Sequence, residues 1–288
     1  MRDSFDIHSN DNALFTTAMC SNRCLMCCQP PSKKNDIDAL WGKNLNLIDT
    51  APKELPSIGI TGGEPTLLGE RFFELVRRIR TTLPDTEVHI LSNGRAFADK
   101  QFTRQLGEIG PQKLLLGIPL HSDNQIDHDL IAGANGAYTE TLLGLYNLAR
   151  WSFDIELRVV LTKLNYQRLP KIAHFIYRNL PFVKYISLMG LEYTGYTIKN
   201  AEQVWIDPVE MAKPLSEAVL YLASTGLDVS IFNLSQCVLP ESIWPFARKS
   251  ISDWKNSFEP FCEQCRMKSE CCGLFSTSKK QSANLHPL

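Results

Sequence analysis

The chain has no apolar run that approaches the ~20 residues a membrane-spanning helix needs. It also has almost no excess of charge of either sign. Its 30 Lys and Arg stand against 31 Asp and Glu, a net −1 that offers no general attraction for nucleic acid or for an anionic membrane surface. No internal repeat is visible. The opening residues Met1-Arg2-Asp3-Ser4-Phe5-Asp6 carry acidic groups where a secretory signal needs an apolar core. These absences predict a cytoplasmic chain with neither nucleic acid nor membrane among its partners. What is present fits that setting: 288 residues, 44% of them hydrophobic, can bury one large domain and a small appendage.

Nine cysteines is an odd number, and they gather in two groups, at 20–28 and at 237–272. In a reducing compartment such grouping predicts metal ligation rather than a disulfide framework. Cys20, Cys24 and Cys27 have the spacing C-x3-C-x2-C. Three thiolates on one tight loop can hold three irons of a four-iron cluster, which leaves the fourth iron open for a substrate or cofactor. Zinc is the competing metal, and a closed zinc site needs a fourth ligand nearby. Cys28 offers one only as the second member of an awkward adjacent pair.

A second motif, Gly62-Gly63-Glu64-Pro65-Thr66, follows the apolar run Ile58-Gly59-Ile60-Thr61 and precedes a helical stretch. Glycines at a strand end permit close backbone approach, and Pro65 fixes the turn. Around it, apolar or β-branched runs recur at 13–19, 58–61, 87–91, 113–120, 155–162 and 185–189. Helical patterns lie between them at 100–109, 138–150 and 169–179, and Phe72, Leu75, Val76 and Ile79 have the i, i+3, i+4, i+7 spacing of a buried helix face. Six strands alternating with helices predict a parallel α/β sheet with right-handed crossovers, and leave an open sheet and a barrel as alternatives. In both, ligands sit at the carboxyl ends of the strands, where both motifs fall.

C-x3-C-x2-C followed one β-α unit later by Gly-Gly-Glu-Pro resembles the radical S-adenosylmethionine (radical SAM) enzymes, over roughly residues 13–200. The resemblance implies a partial (β/α)6 TIM barrel. It further implies a four-iron, four-sulfur (4Fe-4S) cluster on Cys20, Cys24 and Cys27, with S-adenosylmethionine (SAM) chelated to the open iron. Reductive cleavage of SAM then gives methionine and a 5′-deoxyadenosyl radical that takes a hydrogen atom from the substrate. The electron comes from a donor of flavodoxin or ferredoxin type. By the same resemblance Gly62, Gly63, Glu64 and Pro65 meet the cofactor's amino group. Ser92 and Asn93 line its pocket at the end of the third strand, and Ser122, after Leu120 and His121, faces the ribose. Arg158, or Lys163, pairs with the carboxylate. The residue before the third cysteine, often aromatic in that family, is Met26, whose thioether is expected to shield the cluster. His121 and His128 read as hydrogen-bonding loop residues rather than metal ligands.

After about residue 200 the alternation stops. A helix is expected from Asp207-Pro208 through Ala223 and a strand at 227–232. Cys262-x2-Cys265-x5-Cys271, with Cys272 adjacent and Cys237 upstream, resembles the extensions called SPASM or twitch domains, which bind auxiliary iron–sulfur clusters, and the resemblance implies four thiolates from Cys237, Cys262, Cys265 and either Cys271 or Cys272. A four-cysteine zinc staple is the alternative. The expected division is a lead-in at 1–12, the barrel at 13–200, a cysteine-rich extension at 201–275 and a tail at 276–288, which is Ser/Lys/Asn-rich and read as disordered. Cys24-Leu25-Met26-Cys27 with Gln29-Pro30-Pro31, and Cys271-Cys272-Gly273-Leu274-Phe275, resemble the radical SAM maturases of His-Xaa-Ser repeat systems. That implies a ribosomally made peptide substrate and a second radical SAM protein as partner. A radical SAM enzyme acting on a small molecule, and a zinc-stapled binding module, are the competing functions.

Overall fold

The computed structural model describes residues 4–9, 11–249 and 256–288. Met1-Arg2-Asp3 and Asn10, part of the expected lead-in, and residues 250–255 of the expected extension lie outside the described residues. Seven strands form one parallel sheet in chain order: β1 (Ala13–Phe15), β2 (Ser57–Thr61), β3 (Glu87–Leu91), β4 (Leu114–Pro119), β5 (Asp154–Val160), β6 (Tyr185–Met189) and β7 (Asp228–Phe232). β1 and β7 are its edges, so the sheet is not closed by hydrogen bonds. This is the α/β architecture of a partial barrel. The helices are α1 (Ile37–Asp49), α2 (Glu70–Thr82), α3 (Lys100–Ile109), α4 (Gln125–Ala132), α5 (Ala137–Arg150), α6 (Leu169–Asn179), the single turns α7 (Tyr196–Lys199) and α8 (Ala201–Val204), and α9 (Ala212–Ser224). Among the described residues no helix is long and apolar enough to cross a membrane.

The register follows from the apolar alternation. Ile58 and Ile60 of β2 pair with Val88 and Ile90 of β3, and those pair with Leu114 and Leu116 of β4. All six are essentially inaccessible, so one face of these strands is continuous core. The stripe Phe72, Leu75, Val76 and Ile79 of α2 is fully buried, as its spacing predicts. The seventh strand lies past the expected barrel boundary at residue 200: 227–232 reads as a strand, and β7 pairs in parallel with β6 from Tyr185↔Asp228 to Met189↔Phe232.

Two compact units make up the chain. The first comprises Met1–Arg23, Gln29–Pro119 and Ala134–Glu156, and the second Cys24–Cys28, Leu120–Gly133 and Leu157–Leu288. The division cuts the cysteine loop after Arg23, a boundary that no composition shift in the sequence marks. Within the second unit, β8 (Asn256–Ser257) and β9 (Leu274–Phe275) form a short antiparallel ribbon. The tail 276–288 is ordered, contrary to the reading from composition. Ser282 donates to Asp207 at 2.7 Å, the Lys279 N–H to the Tyr193 carbonyl at 3.0 Å, and Lys280 lies 3.4 Å over the Trp205 ring. Polar composition argues against a self-sufficient core but not against docking on a prebuilt one.

Candidate active site

In the first unit, the Gly-Gly-Glu turn leaves β2 and meets the lead-in to the cysteine loop backbone to backbone. The Gly63 N–H donates to the Thr17 carbonyl at 2.6 Å, and the Glu64 N–H to the Met19 carbonyl at 2.8 Å. A Cβ at Gly63 would stand 2.1 Å from the Met19 carbonyl oxygen, and one at Gly62, whose φ is +151°, 2.5 Å from that of Thr17. The approach that requires glycine here is made by the chain itself. Asp36 holds the same limb, accepting from Thr17 Oγ1 at 2.6 Å and from the Ala18 N–H at 2.9 Å.

Glu64 is 1% exposed, and its carboxylate accepts four hydrogen bonds from within the chain. Oε1 accepts from the Thr66 N–H at 3.1 Å, Thr66 Oγ1 at 2.8 Å and Ser92 Oγ at 2.8 Å, and Oε2 from the Asn93 N–H at 2.6 Å. Burial pushes its acidity constant up, opposed by those donors. Glu64 therefore ties the end of β2 to the turn after β3. Pro65, buried beside it, opens the short 3-10 turn Pro65–Leu68. Asn93 then reaches the cysteine loop, with Nδ2 2.8 Å from Ser21 Oγ and 3.9 Å from Cys20 Sγ. Arg95, which sequence reasoning missed, donates to the Ser21 carbonyl at 3.1 Å and to Asn22 Oδ1 at 2.7 Å, and is held by Glu140. Its only signal in the sequence was a cation directly after Ser92-Asn93-Gly94. The Asn22 N–H points at Cys20 Sγ from 3.4 Å, and burial pushes the Cys20 thiol up.

The second unit carries Cys24 and Cys27. The Cys27 N–H closes a turn on the Cys24 carbonyl at 3.0 Å, and the Leu25 N–H donates to the Ile131 carbonyl at 2.9 Å. Tyr196 N–H and Asn200 Nδ2 bind the carbonyls of Cys27 and Leu25, both at 2.8 Å. Met26 is buried against Ile131 and Val204, and Cys24 packs against the same small core. Cys24 Sγ lies 3.9 Å from Nε2 of His121. That histidine is fully buried, 5.1 Å from the His128 ring, and burial and then His128 hold it down to about 3, so it is neutral. Ser122 is inaccessible and its hydroxyl accepts from Asn124, the N-cap of α4, at 3.1 Å. Arg158 lies with its guanidinium 3.2 Å from the Met189 sulfur, and Lys163 reaches the Glu202 carbonyl at the surface.

The carboxy-terminal cysteines converge on a pocket of ≈ 390 Å³ of empty space that Cys237, Cys262, Cys265 and Cys271 all line. Cys237 comes from the 3-10 turn Gln236–Val238, and Cys262 and Cys265 from Pro260–Gln264 and its cap. Cys271 faces the pocket and accepts the Gly273 N–H at 3.4 Å, whereas buried Cys272 donates to the Gly273 carbonyl at 3.3 Å. The Cys271 thiol is lowered to about 6, first by the Cys272 thiol and then by backbone N–H groups against the opposing effect of burial. Cys272 is pushed strongly up. Among the described residues, no three His, Cys, Asp or Glu side chains close on a single metal ion. A multi-iron cluster spreads its ligands over its own width, so four thiols in the lining of one open pocket fit such a group.

The family model of the radical SAM superfamily matches residues 14–176. The chain belongs to the radical SAM superfamily. Its enzymes use a 4Fe-4S cluster and SAM, and the donor chemistry of the loop fits the cluster. Three half-buried thiols stand within eight residues, two of them approached by nitrogen donors. No curated protein matches the chain in sequence. Among solved structures, Streptococcus suis SuiB bound to S-adenosylmethionine is similar at TM-score 0.61 and 15% identity, over 84% of this chain and 53% of SuiB. Native anSMEcpe with bound AdoMet and peptide gives TM-score 0.62 at 15% identity, over 96% and 91% of the two chains. HemN, the coproporphyrinogen III oxidase from Escherichia coli, gives 0.57 at 12%, over 75% and 52%. These likenesses show the radical SAM fold. The chain spans about half the length of SuiB and of HemN.

Proposed function

We propose that this radical SAM enzyme modifies a ribosomally made peptide, and that its substrate is of the His-Xaa-Ser repeat type. The observation that carries the reading is the four-cysteine pocket. Cys237, Cys262, Cys265 and Cys271 would hold an auxiliary iron–sulfur cluster, an addition that SAM cleavage on the amino-terminal loop does not require. The likeness to SuiB, also solved with its precursor peptide SuiA, and to anSMEcpe with peptide supports the same class.

Cys20, Cys24 and Cys27 would hold the first cluster, which with SAM and one electron supplies a 5′-deoxyadenosyl radical. The remaining groups position it. Gly62 and Gly63 let the loop's lead-in close onto the turn after β2, and Glu64 passes that alignment to Ser92 and Asn93 through two of its four accepted hydrogen bonds, the other two coming from Thr66. Asn93 and Arg95 then fix Ser21 and Asn22 between the first two ligands. Neutral His121 can donate Nε2–H to Cys24 and so hold electron density on that sulfur. Arg158 is the cation we assign to the cofactor carboxylate, with Ser122 stiffening the turn after β4. A flavodoxin or ferredoxin would supply the electron, and a second radical SAM protein is the further partner.

Anaerobic reconstitution tests this. The expected product is brown protein that releases 5′-deoxyadenosine and changes the mass of a His-Xaa-Ser peptide encoded beside its gene. Deoxyadenosine release with no mass change in such a peptide, but turnover of a small molecule, would overturn the peptide reading.

A further inference from the structure

Residues 276–288 do not merely rest on the second unit, because their last four residues reach the four-cysteine pocket. We propose that residues 285–288 form an outer ligand shell for that site, donating backbone N–H groups to its thiolates and shutting water from it. The proposal rests on the reading of Cys237, Cys262, Cys265 and Cys271 as metal ligands. The Leu288 N–H points at Cys265 Sγ from 3.4 Å, and His286 lines the same pocket as Cys237. The Arg266 N–H donates to the Leu288 carbonyl at 3.0 Å, which clamps the tail against the residue after Cys265. One short segment thus reaches the pocket that Cys237 and Cys265 line.

The sequence of the tail is arranged for this. Between Thr277 and Leu288 the only large apolar side chains are Leu285 and Leu288, and both line the pocket beside Phe258 and Phe261. The polar residues before them provide anchorage. Asp207 accepts from Ser282 Oγ at 2.7 Å and from the Ala283 N–H at 3.2 Å, Thr277 donates to Glu192, and Lys280 stacks over Trp205. An N–H that donates to a thiolate makes a charge-assisted bond, and hydrogen bonds to sulfur and solvent exposure are the levers by which a protein tunes a thiolate-held metal.

The test uses the full chain carrying Cys20→Ala, Cys24→Ala and Cys27→Ala, so that every metal atom counted belongs to the second site. Each protein is reconstituted with iron and sulfide, or with zinc, and stripped with increasing chelator under anaerobic conditions. Leu288→Pro removes one N–H donor and leaves the anchors, and deletion of 285–288 removes the whole shell. Both are expected to lower metal affinity roughly 10–100-fold, the usual cost of losing an outer-shell partner. Leu288→Ala keeps the N–H and is expected to hold metal better than the proline variant. Equal retention by the parent, the proline variant and the deletion would overturn the proposal. A parent that binds neither metal overturns the four-cysteine reading, and the tail proposal falls with it. A parent that takes zinc and refuses iron overturns only the auxiliary-cluster reading, and the tail's contribution is then scored on zinc.

Discussion

Each thiol site includes a pair of adjacent cysteines, and the two pairs are settled in opposite ways. Cys27 is half-buried and Cys28 is exposed, whereas Cys271 faces the pocket and Cys272 is buried at 6% exposure. In the first pair the surplus thiol goes to water. The carbonyls of both residues lie against Gly195, where a Cβ would stand 2.4 Å from that of Cys27. In the second pair the surplus thiol goes to the core and donates to a carbonyl. Adjacent side chains in extended backbone point to opposite sides, so one member of such a pair is excluded from a common site. Which member is excluded depends on what covers the other side, and that is a tertiary fact.

The largest expected effect separates the first pair. Cys27→Ala, like Cys20→Ala or Cys24→Ala, is expected to abolish deoxyadenosine formation, since two thiolates cannot retain the cluster. Cys28→Ala is expected to keep most of the activity. Loss of the cluster in the Cys28 variant with retention in the Cys27 variant would reverse the assignment. Next in size is the contrast between the two sites. A Cys262→Ala, Cys265→Ala, Cys271→Ala variant is expected to hold about half the iron of the wild type if each site binds one cluster. It should still cleave SAM without substrate and fail to modify peptide. Equal iron in both proteins, measured with sulfide, would remove the auxiliary cluster.

The turn after β2 is centred on a buried carboxylate where the carboxy-terminal pocket is lined by thiols, and the turn can be probed at two residues. Glu64→Gln replaces a four-bond acceptor with a group that turns an N–H toward buried donors, at an expected cost of about 1–3 kcal/mol. Gly63→Ala drives a Cβ toward the Met19 carbonyl, and overpacking of this kind costs about 1–3 kcal/mol. Both are expected to lower cluster loading as well as melting temperature. A folded, fully loaded Gly63→Ala protein with weakened SAM binding alone would place that glycine in direct contact with the cofactor.

Much of this was legible in the sequence because it is local. The i, i+4 stripe of α2, the alternation of β2 to β4 and the cysteine spacing each rest on residues close in the chain. Roles that depend on distant segments were not legible. The packing of Gly63 on Met19 was not legible because nothing in the turn reveals that Met19 returns to it. The core partners of Met26 were not legible because Ile131 and Val204 are more than a hundred residues away. The tail read as disordered because composition reports only whether a segment can fold alone, and this one docks on Asp207, Tyr193 and Trp205. Cys237 was placed with its three partners by its upstream position alone, and the turn at Gln236–Val238 that carries it into the pocket left no mark in the sequence.

The smallest expected effect is that of Cys272→Ser in the second pair, set against Cys271→Ser. Cys271→Ser should lose the metal of the pocket, because its sulfur faces the other three thiols and already accepts the Gly273 N–H. Cys272→Ser should keep it. The serine hydroxyl can donate to the Gly273 carbonyl as the thiol does, so the hydrogen bond survives. What is lost is the polarisable sulfur in a buried site and its support of Cys271 as a thiolate. The expected cost is about 1–2 kcal/mol, within the ordinary range for a single buried substitution, with metal content unchanged. Metal analysis beside a denaturant titration checks both halves at once. If Cys272→Ser empties the pocket while Cys271→Ser keeps it filled, the ligand is the buried cysteine, and the pair must turn over when metal binds.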